Sequence, residues 1–365
     1  MSKSSLDIES KIMVKKSFKN NKQIKSVAFD NLWLNTGQST TFFITIDELN
    51  LQLAQIKSLS KKIEPKLVQA FEKNWTNNFI FANHLIEGEI FSKLVVKNSL
   101  QSAKAAKQPY IIMQRVINMK NAMEFLDQQE SINDDIFNQF YQHLITNFKS
   151  ENYYDGKYYR LEPVYIGNQQ GADANAIVML INNLWNFINS EQLNNQPLLK
   201  AIVAHFYYEY IHPYYDFNGR SGRILMHWIA KDQQSKLQIK ILVWILSFQV
   251  NKYHQGFKQY YINNDGNLTF FCKILVDLTI QGLEFVLYLQ TCLNKQLRVP
   301  GVNTIAFDLL TMIFLTKEID LAMLKQWFSK RDLSLNCDAN FKKAIKLLLK
   351  YQLIKQDELV IKLNH

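Results

Sequence analysis

Cysteine is scarce in this sequence, with only Cys272, Cys292 and Cys337 among 365 residues and no C-x-x-C pair. This scarcity argues against a disulfide framework and a structural zinc site. It is typical of a reducing compartment, so we expect a cytoplasmic protein. The 11 glycines and 6 prolines are also too few for a collagen-like or disordered chain.

Long apolar runs are missing as well. The most apolar segment, 241–250, has about half the length needed to cross a bilayer, and the first residues lack the apolar core of a signal peptide. We therefore expect a globular protein without a membrane partner. The net charge of +10 favours acidic partners such as nucleotides, nucleic acid or an acidic protein face, without choosing among them.

Apolar residues recur at helical spacing through most of the chain. The clearest helix is 197–211, which would present one apolar face and begins with a proline suited to a first helical turn. The same pattern predicts helices around 68–85, 176–188, 224–229, 271–289, 306–315, 321–330 and 340–351. In 156–166, β-prone residues flank a proline, as in a short hairpin or edge strand. The prediction is an all-α fold with one small β element.

Two boundaries are predicted along the chain. Residues 1–105 form an N-terminal segment with polar loops and one marked helix. A Pro-Gly pair at 300–301 interrupts the helical pattern and separates a central segment, 106–297, from a last segment, 298–365. Three short helices followed by a strand at 357–363 predict a winged helix-turn-helix in the last segment.

The most informative stretch is 212–223 (HPYYDFNGRSGR), between one helix that ends near Ile211 and another that starts near Arg220. A loop that leads into a helix presents free backbone N–H groups and the positive end of the helix dipole to an anion. Arg220 and Arg223 share a face of the first turn, and two guanidiniums beside free amides favour a polyphosphate ligand.

Three other side chains of this stretch can supply chemistry. Asp216 is placed to hold a divalent cation, since Mg²⁺ takes carboxylate and phosphate oxygens. His212 can act as a general base near neutral pH, and Asn218 can donate its amide to a phosphate oxygen. Each residue alone has a structural explanation, such as a helix end or a solvated face, but their combination indicates a functional site.

The stretch resembles the motif of the Fic family, H-x-F-x-(D/E)-G-N-G-R-x-x-R. It matches at His212, Asp216, Asn218, Gly219, Arg220 and Arg223, and Tyr214 replaces the phenylalanine. Residues 156–160 with Val164, Tyr165, Ile166 and Gly167 resemble the family's flap, a β-hairpin that holds the target segment by strand addition. Tyr253 and 267–271 resemble its closing segment. The likeness covers roughly 106–290.

The resemblance implies an activity and a role for each matched residue. His212 would deprotonate a Ser, Thr or Tyr hydroxyl of a protein target, or of the chain itself, which then attacks the α-phosphorus of ATP. Asp216 would hold Mg²⁺, while Arg220 and Arg223 would bind the β- and γ-phosphates. Further phosphate contacts would come from Asn218, Gly219 and Gly222. The implied function is AMP transfer to protein (AMPylation).

Phe217 departs from the motif, because the family has glycine or sometimes alanine at this position. If the position needs an unusual backbone angle, phenylalanine costs energy that glycine does not. Its ring can also narrow the opening through which the phosphates would enter the site. Two alternatives therefore stay open: transfer of another phosphate-linked group, and a catalytically degenerate Fic scaffold that binds DNA or protein. A third, AMP removal, is implied by the resemblance of Glu87 to a glutamate with that role in some relatives.

Residues 83–88 (NHLIEG) resemble the inhibitory motif of many Fic proteins, (S/T)-x-x-x-E-(G/N), with Asn83 in the first position. A carboxylate at a helix end can pair with an arginine. The resemblance implies that Glu87 takes Arg223 away from the γ-phosphate, and a homodimer could hide or free Glu87. The alternative is a plain helix end with a cap at Gly88.

Two further patterns are open to a functional and a structural interpretation. His205 and Glu209 lie four residues apart and with His212 suggest a metal site, but without an H-E-x-x-H pattern we favour core packing. In the last segment, a helix carries lysines that can face DNA phosphates, or simply a solvated surface. These lysines are Lys342, Lys343, Lys346 and Lys350.

Overall fold

The computed structural model describes residues 26–28, 32–33, 39–40, 42–91, 93–102, 111–148, 159–166, 169–263, 266–301, 304–331 and 336–364. Most of these residues are helical, and β structure in these ranges is limited to short pairs and one small sheet. The predicted helical fold with small β elements is therefore confirmed. Parts of the predicted flap, 156–158 and 167, lie outside the described residues.

Fourteen α-helices lie in the described ranges. They are α1 (Asn50–Lys62), α2 (Pro65–Ile86), α3 (Lys93–Ser102), α4 (Ile111–Asp127), α5 (Asp134–Ile145), α6 (Ile177–Asn189), α7 (Pro197–Ile211), α8 (Asn218–Ile229), α9 (Gln233–Leu246), α10 (Val250–Asn263), α11 (Thr269–Asn294), α12 (Ile305–Thr316), α13 (Leu321–Ser329) and α14 (Cys337–Lys350). Short 3₁₀ turns precede α1 and α6. The N-terminal segment thus contains α1, α2 and α3 rather than one marked helix.

The strands form antiparallel pairs. They are β1 (Ser26–Ala28), β2 (Leu32–Trp33), β3 (Ser39–Thr40), β4 (Phe43–Thr45), β5 (Tyr165–Ile166), β6 (Gln169–Gln170), β7 (Glu318–Asp320), β8 (Ile354–Asp357) and β9 (Val360–Leu363). β1 pairs with β4, β2 with β3 and β5 with β6, and the sheet has the order β7-β9-β8. The single strand predicted at 357–363 is instead the β8–β9 hairpin, because Glu358 takes a φ of 52° and reverses the chain.

Helix α7 lies at the centre of the fold. Every residue from Leu198 to Ile211 is buried, because α6, α8 and α11 pack around the helix. The predicted single apolar face is therefore wrong: a helix enclosed on all sides needs no polar face. Its one buried lysine, Lys200, donates to the carbonyl of Ser190 at 2.6 Å and to Asn194 Oδ1 at 2.7 Å.

The segment before α1 is part of this central core. The ring of Phe42 makes edge contacts with Phe206 and Tyr260 at centroid distances of 5.8 and 5.4 Å. The Phe43 amide donates to the carbonyl of Gly266, and Leu268 donates back to Phe43. Aromatic edge contacts and main-chain bonds of this kind fix the strand on the helices. The division of the chain near residue 105 remains a prediction.

The last segment contacts the preceding helices through two buried cations. Lys93 Nζ of α3 lies 2.5 Å from Asp308 Oδ1 of α12 and 4.3 Å from the ring of Trp244. Arg331 donates to the carbonyl of Ser247 at 2.6 Å. The order of elements from α12 to β9 is helix, strand, helix, helix, strand, strand, as in a winged helix, which remains an interpretation. No helix in the described ranges is long and apolar enough to span a membrane.

Candidate functional site

The loop between α7 and α8 is bounded by two residues with positive φ angles. His212 ends α7 with a φ of 49°, and Phe217 precedes α8 with a φ of 60°. These left-handed residues reverse the chain, so α8 packs against α7. A Cβ atom on Gly222 would lie 2.6 Å from Glu209 Oε1 and 2.8 Å from Tyr208 Cδ1. Close packing of the two helices thus explains Gly222, a role different from the predicted phosphate contact.

Arg160 holds the main chain of the loop by hydrogen bonds. No role of its own was predicted for this residue from the sequence. Its buried guanidinium donates to the carbonyls of His212 at 2.7 Å, Ala172 at 2.5 Å and Ile211 at 3.2 Å. Its own amide donates to the carbonyl of Pro213 at 2.9 Å. Arg160 therefore fixes the main chain at His212. No local sequence signal distinguishes an arginine whose partners are main-chain carbonyls of other segments.

Tyr214 anchors the middle of the loop. Its ring stacks on Tyr141 with centroids 3.6 Å apart and an interplanar angle of 7°, and Tyr141 Oη donates to the carbonyl of Asp216 at 3.0 Å. Asn218 accepts from the Tyr214 amide at 3.0 Å and donates to its carbonyl at 2.7 Å. The side chain of Asn218 thus braces the loop here, and its contact with phosphate remains a prediction.

His212 lies at the start of the loop with 18% of its side chain exposed. Burial, reinforced by the charge of Arg160, lowers the pKa of His212 to about 4. Its Nδ1 lies 3.8 Å from Glu209 Oε2. Burial raises the pKa of Glu209 to about 8, against the opposing effect of Arg223. The imidazole is therefore neutral near pH 7, the protonation state that a general base needs.

Behind Glu209 lies a second buried histidine. His205 Nε2 is 2.7 Å from Tyr253 Oη, and the two rings are nearly parallel. Burial lowers the pKa of His205 to about 3. His205 lies on α7 and Tyr253 on α10, and both are buried. Burial raises the pKa of Tyr253 and a hydrogen bond with Arg223 opposes this rise, so Tyr253 contacts the site arginine as well as the core histidine.

Arg223 is buried on α8 and is held by the end of α2. Its Nη2 donates to Glu87 Oε1 at 2.5 Å, and its Nε donates to Asn83 Oδ1 at 2.7 Å. Burial opposes ionisation of Glu87, but Arg223 outweighs it and the pKa of Glu87 lies below its usual range. A Cβ atom on Gly219 would lie 2.3 Å from Glu87 Oε1, so the carboxylate covers the first turn of α8.

The turn that carries Glu87 is a glycine-capped helix end. Gly88, with a φ of 77°, donates to the carbonyl of Leu85, and Glu89 donates to that of His84. This is the hydrogen-bond pattern of a Schellman motif. The helix-cap interpretation and the arginine pair are therefore compatible, since the same turn caps α2 and presents Glu87 to Arg223.

Arg220 bridges two carboxylates. Its Nη2 donates to Asp216 Oδ1 at 2.9 Å and its Nη1 to Glu89 Oε1 at 2.8 Å, and only 4% of its side chain is exposed. Glu89 also contacts Arg115 through Oε1 and His84 through Oε2. No role for Glu89 was predicted from the sequence, because its partners Arg115 and Arg220 lie 26 and 131 residues away.

Phe217 is buried and lies under Arg220. Its ring centroid is 3.8 Å from the guanidinium carbon of Arg220 and 5.8 Å from the ring of Phe148. Only 3% of the residue is exposed, so the ring points into the protein. The backbone of Phe217 does adopt the left-handed angle that glycine favours.

The predicted flap is the β5–β6 hairpin beside the loop. Tyr165 pairs with Gln170 and Ile166 with Gln169, and the Gly171 amide donates to the carbonyl of Val164 at 2.9 Å. The side chain of Tyr165 is exposed, with an accessible fraction of 68%. A short exposed strand of this kind can accept a further strand on its free edge.

Asp216 precedes the first residue of α8 by two positions. Its side chain is 41% exposed, and Oδ1 accepts from the Phe217 amide at 2.6 Å. Among the residues with assigned positions, no group of three or more His, Cys, Asp and Glu could hold a metal. A cation at Asp216 would take its other ligands from phosphate and water, as Mg²⁺ characteristically does.

Comparison with known proteins identifies the central part of the chain. Residues 126–230 match the model of the Fic/DOC family. This part of the chain is a Fic domain. The matched range contains α5 to α8 and the whole loop 212–217. The residues brought together around His212 therefore belong to the Fic domain, while Glu87 and Glu89 reach it from the preceding segment.

Curated relatives resemble this Fic domain over part of their length. A protein adenylyltransferase Fic from Drosophila grimshawi is 27% identical over 144 residues, which are 39% of this chain and 28% of that protein. A protein of the same name from Drosophila erecta is 26% identical over 144 residues. The chain thus matches less than a third of these relatives.

Solved structures share the fold at low identity. A Fic family protein from Desulfovibrio desulfuricans G20 gives a TM-score of 0.52 with 16% identity, over 87% of this chain and 95% of that one. Fic-1 from C. elegans gives a TM-score of 0.51 with 16% identity, over 67% of this chain and 73% of that one. These likenesses concern the fold.

Proposed function

We propose that this Fic-domain protein transfers AMP from ATP to a Ser, Thr or Tyr hydroxyl of a protein, and that Glu87 restrains the reaction. One observation carries the proposal: a neutral histidine and two arginines meet at the N-terminus of one helix. His212 ends α7, while Arg220 and Arg223 lie in the first turns of α8. A base beside a polyphosphate cradle is the combination that nucleotidyl transfer requires.

His212 supplies the base. With a pKa of about 4, the imidazole is unprotonated at neutral pH and can accept the proton of the target hydroxyl. The hydroxyl oxygen then forms a bond to the α-phosphorus while the bond to the β-phosphate oxygen breaks, and pyrophosphate leaves. Arg160 acts as a positioning residue here, because it holds the main-chain carbonyl of His212 at 2.7 Å.

The first turn of α8 supplies charge stabilisation. The leading amides of a helix, here including that of Gly219, have no intrahelical acceptor and would bind the incoming phosphates. Arg220 and Arg223 would bind the β- and γ-phosphates by charge-assisted hydrogen bonds. Mg²⁺, when bound at Asp216, would neutralise part of the phosphate charge.

The β5–β6 hairpin would orient the protein target. An extended segment of the target can pair with the free edge of β5, alongside the exposed Tyr165. Main-chain pairing of this kind selects conformation rather than sequence, so one hydroxyl is brought towards His212 without requiring a unique motif. This supports a protein rather than a small-molecule acceptor.

Glu87 would restrain the reaction by occupying Arg223. The carboxylate lies 2.5 Å from Nη2 of the arginine and against Gly219, where a γ-phosphate would otherwise bind. ATP entering with Glu87 in place would lack one cationic contact. Catalysis by positioning is sensitive to such a change, since a misplaced donor loses in-line geometry.

The test is labelling with ATP carrying a labelled α-phosphate and Mg²⁺. Wild type, Glu87→Gly and Glu87→Gly/His212→Ala are compared for label on themselves and on lysate proteins. A control is Glu358→Gly, which makes the same exchange at an exposed residue of the β8–β9 turn. We expect strong labelling from Glu87→Gly alone. Equal labelling with and without His212 would refute the proposal.

DNA binding by the last segment is a second candidate function. One observation favours it: the four lysines at 342, 343, 346 and 350 are all exposed on α14. Replacing them with glutamine should abolish a salt-dependent affinity for duplex DNA and leave AMP transfer unchanged. Wild-type protein that shows no DNA affinity at low salt would exclude this candidate.

A further inference from the structure

The turn after α2 presents two carboxylates to α8. Glu87 pairs with Arg223 at 2.5 Å, and Glu89, two residues later, pairs with Arg220 at 2.8 Å. The left-handed Gly88 between them allows the two side chains to reach arginines one helical turn apart. Both arginines of the phosphate cradle therefore have an anionic partner from the same turn.

We propose that Glu89 is a second inhibitory carboxylate, which withholds Arg220 from the nucleotide phosphates as Glu87 withholds Arg223. The inference rests on the proposed function, because it assigns Arg220 to a phosphate. One turn would then restrain the site through two carboxylates. Loss of Glu87 alone would free Arg223 but leave Arg220 bound to Glu89.

The contacts of Arg220 support this assignment. Its two terminal nitrogens donate to Glu89 and Asp216, and Phe217 covers one face of the guanidinium at 3.8 Å. With 4% of the side chain exposed, phosphate oxygens cannot reach the terminal nitrogens without displacing a carboxylate. Asp216 belongs to the loop, so Glu89 is the partner that a movement of the turn can remove.

Glu89 is itself held firmly. His84 Nδ1 lies 2.5 Å from Oε2, and Arg115 and Arg220 both contact Oε1. Burial opposes ionisation, but these partners lower the pKa of Glu89 to about 2. The carboxylate thus stays charged throughout the physiological range. Release must come from movement of the turn or from a competing anion, and protonation cannot supply it.

Neutralising Glu89 should create an anion site. Without the carboxylate, Arg115 and Arg220 point at a common position with no negative partner from the turn, and two guanidiniums around one position attract phosphate. Glu89→Gln keeps the size of the side chain and one acceptor oxygen, while its other terminal atom becomes an NH₂ donor. The exchange therefore removes the negative charge with little change in side-chain shape.

The experiment measures binding of MgATP and, separately, of inorganic pyrophosphate by calorimetry. The proteins are wild type, Glu87→Gly, Glu89→Gln and Glu87→Gly/Glu89→Gln, with Glu191→Gln as a matched control at an exposed carboxylate. The double variant should bind pyrophosphate about tenfold more tightly than Glu87→Gly, the equivalent of one charge-assisted hydrogen bond. Glu191→Gln should match wild type.

The opposite result has a definite meaning. If Glu89 instead holds Arg220 in its working orientation, the double variant will bind pyrophosphate equally or more weakly than Glu87→Gly, and the inference is overturned. Glu89→Asp gives a second route if Glu89→Gln unfolds, because the shorter carboxylate keeps its charge but retracts from Arg220. Since pyrophosphate binding involves no AMP transfer, a failure of the proposed function would be visible separately in the labelling assay.

Discussion

The ring of Phe217 lies 3.8 Å from the guanidinium carbon of Arg220, at a position where Fic motifs carry glycine. The left-handed backbone at Phe217 costs about 1 kcal/mol relative to glycine. The buried ring compensates by packing against Phe148 and Arg220. Compared with glycine, Phe217 therefore strains the backbone but fixes the orientation of the Arg220 side chain.

This exchange predicts the stabilities of two variants. Phe217→Ala loses the buried ring and keeps the backbone cost, so it should lower the free energy of unfolding by about 3 to 5 kcal/mol. Phe217→Gly loses the same ring but relieves the backbone, and should be about 1 kcal/mol more stable than Phe217→Ala. Denaturant unfolding of both variants measures the difference. A glycine variant less stable than the alanine variant would show that no backbone cost exists at this position.

Gly219 and Glu87 should be energetically coupled. A Cβ atom at 219 would meet Glu87 Oε1 at 2.3 Å, so Gly219→Ala must push the carboxylate away from Arg223. We expect a loss of about 1.5 to 3 kcal/mol in the free energy of unfolding, the value of a hydrogen bond to a charged group. In a Glu87→Gly background the same exchange should be neutral or slightly stabilising. Additive effects in this double-mutant cycle would contradict the contact.

Acid should destabilise the protein through its buried histidines. Burial lowers the pKa of His212 to about 4, and the pKa values of His205 and His227 to about 3. Below an unfolded pKa of about 6.5 the unfolded chain binds protons that the folded chain does not, so stability falls as the pH decreases. Glu209, with a pKa raised to about 8, opposes the trend because its folded form binds the extra proton.

The pKa values of His84 and His254 are also lowered, and those of Asp277 and Asp308 are raised. The histidines outweigh the carboxyls, which gives a measurable slope. Between pH 6.5 and 5 the free energy of unfolding should fall by about 1 to 3 kcal/mol per pH unit. Denaturant unfolding at several pH values measures this slope. His227→Gln cannot titrate and should reduce the slope by about 1.4 kcal/mol per unit. An unchanged slope in this variant would mean that His227 titrates normally.

Lys93 and Asp308 should be strongly coupled in stability. The pair is buried, and burial lowers the pKa of Lys93 and raises that of Asp308 against their mutual attraction. Asp308→Ala removes the carboxylate partner of the Lys93 ammonium and should cost about 3 to 5 kcal/mol of unfolding free energy. Lys93→Met/Asp308→Leu should recover most of that loss. A double variant as unstable as the single one would indicate that the packing, rather than the charge pair, matters.

Local sequence patterns predicted the helices and the loop, but they did not predict contacts between residues distant in sequence. Periodicity located α7 to within a residue, because helical spacing is a local property. The burial of α7 on all sides depends on neighbours that the segment itself does not encode. The turn at Glu358 was also missed, since a positive φ at a non-glycine residue has no compositional signal.

The candidate site divides in the same way. The stretch 212–223 is contiguous, so its charges and spacing could be read directly. Glu87 could be predicted only because residues 83–88 resemble a known inhibitory motif. Arg160 and Glu89 could not be predicted in this way. The contact of Arg160 with His212 joins residues 52 positions apart, and the contacts of Glu89 with Arg115 and Arg220 join residues 26 and 131 positions apart. Such contacts are a property of the assembled fold.

Lys93 places a limit on how the inhibitory turn can move. It follows Glu89 by four residues, and a chain of that length spans at most about 14 Å when extended. Its ammonium is fixed to Asp308, so the turn is tethered at its downstream end to the last segment of the chain. Thermodynamic coupling is reciprocal. A partner that separates α12 from α3 would therefore allow the turn with Glu87 and Glu89 to move further from α8. Conversely, a nucleotide that displaces both carboxylates would weaken the contact between α3 and α12.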